Sequence, residues 1–249
     1  MGVQRGSKII TNGLSVCTDA TVEFRRNPSS NTLSNLVEAR SDFGTFYNDP
    51  SLSSDGRGAF VDLDGTDDYI DFGDITWTDT TDLTFSFAAR LTATTTDQVF
   101  FGKGTLSVTR PLNVWYDHYV GTGPESNSGS SKSISIVVRG SDNDSRIHLA
   151  GPSNCMVAGK DFTIDVVIDT VNKKVIVYKD GEPFLESAVN DDFVGVNGTS
   201  DPIRVGATSG WGAPQRAMAG RIYYFRIYER CLSADEVKQN YNSVKGRFV

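Results

Sequence analysis

The sequence has few of the residues from which catalytic and metal centres are usually built. Its 249 residues include three cysteines and two histidines. Cys17, Cys155 and Cys231 form no Cys-x-x-Cys pair, and neither histidine lies in a serine-hydrolase or zinc-protease motif. This pattern excludes a disulfide scaffold and a structural zinc site. It predicts three mostly buried free thiols in a protein that folds in a reducing compartment.

Basic residues and long apolar runs are also scarce. There are 24 Lys and Arg against 31 Asp and Glu, which gives a net charge of −7, and no basic run interleaves with aromatic residues. We therefore expect no nucleic-acid partner. No stretch approaches the roughly 18 apolar residues of a membrane span. The N-terminal residues MGVQRGSKIITNGL have no apolar run after their basic residues, so we expect no secretory signal.

What the chain does contain is apolar spacing of period two. The clearest segments are LTFSFAARL (83–91), SISIVV (133–138), FTIDVVID (162–169) and KVIVYKD (174–180). They are rich in β-branched and aromatic residues and are separated by Gly, Asn, Asp and Ser clusters, as half-buried strands are. The pattern predicts a hairpin turn at 171–173 and another at Asp180-Gly181. Because the connections are too short for crossover helices, the sheets should be antiparallel and the protein all-β.

One helix is predicted, close to the C-terminus. Ser233 stands three residues before Glu236, which is the spacing of a capping box. Apolar residues then recur at helical spacing and give the helix one face for docking, with Gly246 as its stop: Leu232, Val237, Tyr241 and Val244. We interpret residues 1–12 as a polar N-terminal arm and residues 13–249 as one domain.

An acidic stretch, FVDLDGTDDYIDFGD (60–74), is the first candidate for chemistry. Glycoside hydrolysis needs two facing carboxylates, but Asp62 and Asp64 lead into a glycine turn, so we predict no catalysis. Asp62, Asp64 and Asp67 could instead hold calcium, which binds several convergent oxygens. The competing interpretation is a solvated strand edge, with Val61 and Leu63 pointing inward and the aspartates outward. No other cofactor is indicated.

Exposed aromatic side chains with polar neighbours are the second candidate, because aromatic rings can stack on sugar faces. The candidates are Trp115, Tyr116 and His118 in NVWYDHY, and Trp211 in TSGWGAP. Core packing is the competing explanation for each ring. Residues 121–132, which contain no apolar side chain, are predicted to form a solvated loop or, alternatively, a loop that faces a glycan or a partner.

Three stretches together resemble a known family: NGLSVCTDA (12–20), FVDLDGTDDYIDFGD (60–74) and GRIYYFRIYERCLSADEVKQNYNSVKGRF (220–248). They are similar to the concanavalin A-like, laminin G-like jelly-roll superfamily, most of all to the variant found in tailed-phage virion proteins. The resemblance covers residues 9 to 248. It implies an antiparallel two-sheet jelly-roll sandwich with one short C-terminal helix and with the first and last strands adjacent, which would place Cys17 and Cys231 in neighbouring elements.

From this resemblance we expect a non-catalytic virion structural protein of a tailed phage, such as a capsid decoration, fibre or tail-associated module. Its partners would be other virion proteins, further copies of itself and a surface glycan. It would be made in the host cytoplasm and located in the virion. The alternatives are a stand-alone carbohydrate-binding, lectin-like adhesin and, less favoured, a glycoside hydrolase.

Overall fold

The structure is a computed structural model that describes residues 8–37, 40–92, 97–104, 111–116, 132–140, 146–198, 200–210 and 213–247. Most of the described residues that have regular secondary structure lie in β-strands. In the described part, every strand pairing is antiparallel, and no helix has the length and hydrophobicity that a membrane crossing requires.

Two eight-stranded sheets form the sandwich. The front sheet contains β2 (Thr32–Asn35), β3 (Arg40–Tyr47), β6 (Tyr69–Asp74), β8 (Gln98–Lys103), β9 (Leu112–Tyr116), β10 (Ile134–Arg139), β11 (Arg146–Ala150) and β15 (Pro202–Val205). The back sheet contains β1 (Leu14–Asp19), β4 (Ser51–Ser54), β5 (Ala59–Asp64), β7 (Leu83–Leu91), β12 (Asp161–Asp169), β13 (Lys174–Lys179), β14 (Glu182–Glu186) and β18 (Ala219–Tyr228). The short strands β16 (Thr208–Gly210) and β17 (Ala213–Gln215) pair with each other.

The strand order of each sheet confirms the predicted jelly-roll sandwich. The front sheet runs β11-β10-β9-β8-β15-β6-β3-β2, and the back sheet runs β14-β13-β12-β7-β18-β5-β4. The first strand, β1, pairs with the last, β18, as the resemblance implies. Cys17 lies on β1, whereas Cys231 lies in the loop that follows β18, and all three cysteines are free.

An aromatic core joins the two sheets. Phe225 of β18 lies with its ring centroid 5.2 Å from that of Phe72 on the front sheet and 5.4 Å from that of Phe101. Phe85 of β7 lies 5.9 Å from Phe101. These rings are buried, and their packing supplies a large part of the apolar burial that drives folding.

The predicted strands and turns are confirmed where the sequence was most regular. Residues 83–91 form β7, and 162–169 and 174–179 fall in β12 and β13, joined by the loop at 170–173. The next turn has positive φ angles at Asp180 (53°) and Gly181 (74°), the backbone of a type I′ hairpin turn. Val61 and Leu63 point into the core while Asp62 and Asp64 are exposed, as the alternation predicts.

The C-terminal helix α2 (Ala234–Val244) begins with the predicted capping box. The Ser233 hydroxyl accepts the Glu236 backbone N–H at 3.3 Å, and the Glu236 carboxylate accepts the Ser233 N–H at 2.9 Å. Arg230 adds two hydrogen bonds to the Glu236 carboxylate, at 2.7 and 2.8 Å, and this pairing lowers the Glu236 pKa to about 2. The helix packs on the outer face of the back sheet through Val237 and Val244.

A second helix, α1 (Ala20–Arg26), was not predicted from the sequence. Asp19 caps it by accepting the Thr21 backbone N–H at 2.9 Å. The described end of the N-terminal arm lies against the domain: Ile10 donates its backbone N–H to Asn240 at 2.7 Å, and Gln239 donates to the Lys8 carbonyl at 2.8 Å. The separation of an arm at 1–12 from a domain at 13–249 stays a prediction.

A row of polar side chains is buried on the outer face of the back sheet, the face on which α2 packs. Strand register places Asp165, Ser86 and Arg226 side by side on β12, β7 and β18. All three are at most 2% exposed. The Arg226 guanidinium lies 3.8 Å from the centre of the Tyr224 ring. Burial raises the Asp165 pKa from 3.8 to about 7, against the opposing effects of Ser86 and Arg226.

We expect Ser233→Ala to lower the free energy of unfolding by about 1 kcal/mol, because the first turn of α2 loses its capping acceptor. Chemical denaturation of the two proteins measures the difference. Ser233→Asp keeps an acceptor at the same position and serves as the control, with stability close to wild type. Equal losses in both variants would contradict the assignment of the cap.

The buried carboxyl predicts how stability depends on pH. A group whose pKa rises on folding, here from 3.8 to about 7, binds its proton more tightly in the folded chain, so its contribution to stability is lost as pH rises through that window. When pH rises from about 5 to about 8, the free energy of unfolding should therefore decrease less in Asp165→Asn than in wild type. Denaturation at both pH values tests this, with Asp62→Asn on the exposed strand surface expected to keep the wild-type slope.

Candidate functional site

The outer face of the front sheet carries a row of mostly polar residues. Antiparallel register places residues of seven neighbouring strands across from one another, and directly paired residues share a face. From the β3 edge to the β11 edge the row contains Thr45, Asp71, Arg204, Gly102, Asn113, Val137 and His148. This row, which we call the front row, is the frame of the candidate site.

Asn113 is the most unusual member of the front row. It is 1% exposed, and neither atom of its side-chain amide has a hydrogen-bond partner within the described ranges. Its amide oxygen lies over Gly102, where a Cβ atom would come within 2.5 Å of it. A buried amide without partners costs free energy, so such a group is usually explained by a water, an ion or a ligand that it binds.

Arg204 and Asp71 form the polar centre of the row. The Arg204 Nε donates to Asp71 Oδ2 at 2.9 Å, and the two side chains are 21% and 16% exposed. The Arg204 guanidinium lies 4.7 Å from the centre of the Tyr69 ring. The aspartate and the ring therefore hold Arg204 in one orientation, with its terminal nitrogens available for further hydrogen bonds.

Two tyrosines continue this arrangement to the β3 edge of the sheet. The rings of Tyr69 and Tyr47 are parallel, with an interplanar angle of 3° and centroids 4.9 Å apart. Tyr69 is 9% exposed, and burial raises its pKa, whereas Tyr47 is 44% exposed. The pairing of β2 with β3 ends at Thr32 and Thr45, so Tyr47 extends past the end of β2. It presents a flat aromatic surface at the open end of the front row.

At the opposite edge, His148 and Ser135 form a hydrogen bond of 2.8 Å between Nε2 and Oγ. A serine–histidine pair can generate a nucleophile when substrate reaches the hydroxyl. Ser135 is 0% exposed, so its hydroxyl is closed to a substrate. The bond instead joins β10 to β11.

Lys103 is a buried cation whose ammonium group is occupied by contacts within the protein. It is 0% exposed, and burial lowers its pKa. Its ammonium donates to the carbonyls of Ile75 (2.9 Å) and Asp201 (2.7 Å) and lies 3.5 Å from the Asp74 carboxylate. These contacts fasten two loops at one end of the sandwich, which is a structural use of the charge.

The structure corrects the interpretation of Trp115 and Tyr116 as exposed stacking residues, because both are 0% exposed. Alternation along β9 turns Tyr116 into the core between the sheets. Trp115 faces the other side and packs with Val99 and Val137. His118, Trp211 and all of the 121–132 loop except Lys132 lie outside the described residues.

The predicted calcium ligands are only partly brought together. Ligand oxygens of Asp64, Asp67 and Asp68 lie within 4.8 Å of one another, whereas Asp62 is outside this group. Asp68 is buried and accepts the Asp64 backbone N–H at 2.9 Å, and burial raises its pKa. Asp64 accepts the Thr66 N–H at 2.7 Å. These bonds shape the glycine turn, and calcium binding here stays a prediction.

A mixed cluster of Asp82, Asp169 and Cys231 was not anticipated from the sequence. The three residues come from two strand ends and the loop before α2, so no local sequence motif indicates that they form a cluster. Burial and the two carboxylates raise the Cys231 pKa to about 12. The thiol is therefore protonated at neutral pH and is a poor nucleophile and a poor metal ligand in this state.

The key residues of the candidate site, Tyr47, Tyr69, Asn113 and Arg204, were likewise missed. Arg204 and Asp71 are 133 positions apart, and only strand register makes them neighbours. The alternation in FVDLDGTDDYIDFGD was a usable signal for Tyr69, because it predicts a strand whose successive side chains face opposite ways.

Comparison with solved structures finds the same architecture in proteins of low sequence identity. Domain 4 of AbnA, an extracellular arabinanase from Geobacillus stearothermophilus solved in complex with arabinotriose, has a TM-score of 0.62 and 17% identity, over 91% of this chain and 97% of that one. The binding domain of Paraclostridial Mosquitocidal Protein 1 has a TM-score of 0.62 and 12% identity, over 93% of this chain and 52% of that one.

A third similar structure is the botulinum neurotoxin serotype D binding domain, with a TM-score of 0.60 and 12% identity, over 92% of this chain and 51% of that one. The chain thus spans about half the length of each toxin binding domain. These similarities show the fold. No curated protein sequence matches the chain.

A family model settles the relationship. The model of the concanavalin A-like lectin/glucanases superfamily, in its laminin G form, matches residues 64–238. The match runs from the end of β5 into α2 and so includes most strands of both sheets. The chain belongs to the concanavalin A-like lectin/glucanases superfamily.

Proposed function

We propose that this chain is a non-catalytic carbohydrate-binding module that holds an oligosaccharide on the outer face of its front sheet. The observation that carries the proposal is the exposed Tyr47 ring, stacked on Tyr69 at the open end of the front row. Next to these rings, Arg204 and Asp71 offer fixed polar groups.

The chemistry of this face suits a sugar. A pyranose or furanose ring has an apolar C–H face and a rim of hydroxyl groups, so it needs a flat apolar surface together with a few oriented donors and acceptors. Tyr47 provides the flat surface. Arg204 donates and Asp71 accepts.

Binding without hydrolysis follows from the carboxylates of this face. Hydrolysis of a glycosidic bond ordinarily uses two carboxyl groups on opposite sides of that bond. Among the strand side chains that the structure describes on this face, Asp71 is the one carboxylate, and Arg204 holds it as a charged partner. We therefore assign Asp71 to binding and not to acid–base catalysis.

The similar structures support this proposal and indicate the first probe. Domain 4 of the arabinanase, which the chain matches over nearly its whole length, was solved with arabinotriose. The two toxin domains are named as binding domains. Arabino-oligosaccharides are therefore the first ligands to test, followed by a broader glycan panel.

A role in a phage virion is the finer hypothesis drawn from the sequence, and it stays a proposal. Such a module would reside in the virion after synthesis in the host cytoplasm, with other virion proteins or further copies of the chain as partners. Glycan binding would serve host attachment in that setting. Quantitative mass spectrometry of purified particles measures copies per particle, and absence of the chain would remove this hypothesis while leaving carbohydrate binding intact.

We expect Tyr47→Ala to weaken oligosaccharide binding at least about fivefold, which corresponds to ~1 kcal/mol, because the sugar loses its stacking surface. Isothermal titration calorimetry with arabinotriose, or with the best ligand of the panel, measures the change. The side chain is 44% exposed, so its removal should leave folding stability nearly unchanged.

Tyr47→Phe is the matched control, since it keeps the ring and removes only the hydroxyl. It should bind nearly as tightly as wild type. Wild-type affinity in Tyr47→Ala, or no binding of wild type to any glycan of the panel, would contradict the proposed site.

A further inference from the structure

A pocket lies between α1 and the hairpin of β4 and β5, at the edge of the back sheet. Its volume is about 290 Å³. The lining residues are Thr21, Phe24, Arg25, Ser54, Gly56, Arg57, Gly58 and Ala59. Two of them are arginines and none is acidic, which is unusual in a chain with a net charge of −7. We call this pocket the arginine pocket.

Two acidic residues that neighbour the arginine pocket in sequence are already paired with other cations. Asp19 accepts from Arg247 at 2.7 Å, and Asp55 accepts from Arg221 at 2.6 Å. Within the described ranges, Arg25 and Arg57 take part in no ion pair. The pocket therefore carries two positive charges that the protein itself does not balance.

The wall of the pocket also contains a hydroxyl group, that of Thr21, whose proton is not used in a hydrogen bond among the described residues. The Thr21 hydroxyl oxygen accepts the Arg247 guanidinium at 2.6 Å and the Ala59 backbone N–H at 3.2 Å. Because both bonds use the oxygen as acceptor, the hydroxyl proton must point elsewhere, and no acceptor for it is found among the described residues. Gly58 leaves this wall open, since a Cβ atom there would lie 3.3 Å from the Thr21 oxygen.

We infer that the arginine pocket binds an oxyanion group, such as a sulfate, phosphate or carboxylate. Guanidinium groups bind such anions through charge-assisted and often bidentate hydrogen bonds, and a free hydroxyl proton adds a neutral donor. Phe24 provides an apolar wall for a group that carries the anion. The site lies at the edge of the back sheet and shares no residue with the front row or its two tyrosines, so it does not depend on the proposed function.

The test is titration of the full chain with sodium sulfate and with inorganic phosphate, at constant ionic strength maintained with sodium chloride. Backbone amide shifts of Thr21 and Gly58 in nuclear magnetic resonance spectra report on the pocket. Saturable shifts of these amides are expected. Arg25→Ala and Arg57→Ala should each weaken sulfate binding at least about fivefold.

Arg26→Ala is the matched control, because Arg26 is the next residue of α1, is exposed and does not line the pocket. It should bind sulfate like wild type. If it loses as much affinity as Arg25→Ala, the effect is one of net charge and the inference is overturned. Absence of saturable shifts at Thr21 and Gly58 overturns it as well. Should Arg25→Ala fail to fold, Arg57→Gln in the exposed loop gives the same comparison.

Sulfated glucose and glucose distinguish the source of the anion. If the sulfated sugar binds more tightly than inorganic sulfate while glucose does not shift these amides, the anion is one carried on a saccharide. If the sulfated sugar binds no better than the free ion, the site takes the ion itself. Tyr47→Ala, which should weaken oligosaccharide binding, should leave sulfate binding unchanged. The two proposals can therefore fail separately, one in the oligosaccharide titration and the other in the sulfate titration.

Discussion

The sandwich depends on the pairing of β18, because this strand meets three others and joins the two ends of the chain. It pairs with β7 along one side, and with β5 and then β1 along the other. Phe225 turns inward from it onto Phe72 and Phe101 of the front sheet, while Arg226 turns outward, to the face on which α2 packs. Core packing, helix docking and the closure of the back sheet therefore share one strand, so a change in its register would alter all three at once.

The elements that could be predicted are those specified by local rules. The period of two in β7, β12 and β13 is strong because one face of each strand packs into the apolar core while the other carries more polar or small side chains. The capping box of Ser233 and Glu236 spans four residues and needs no tertiary information. By contrast, α1 has seven residues and follows β1 directly, so its apolar positions continue a strand-like pattern and its cap, Asp19, is also the last residue of β1.

The candidate sites could not be predicted from local rules, because each is assembled from residues far apart in the chain. The front row depends on register across β3, β6, β15 and β9, and Arg204 reaches Asp71 across 133 positions. Trp115 and Tyr116 looked like surface aromatics because they occur next to polar residues, yet both are buried, one on each side of β9. A sequence indicates which side chains could bind a sugar or an anion. The register and packing of the sheets determine which of these side chains lie close together and are exposed to solvent.

The most direct test of the account is a map of backbone amide shifts during titration of the isotopically labelled chain with an oligosaccharide found to bind it. Our account predicts that the largest shifts cluster on β3, β6 and β15, around Tyr47, Tyr69 and Arg204. Shifts confined to the back sheet, or to the turn at Asp64–Asp68, would contradict a carbohydrate site on the outer face of the front sheet.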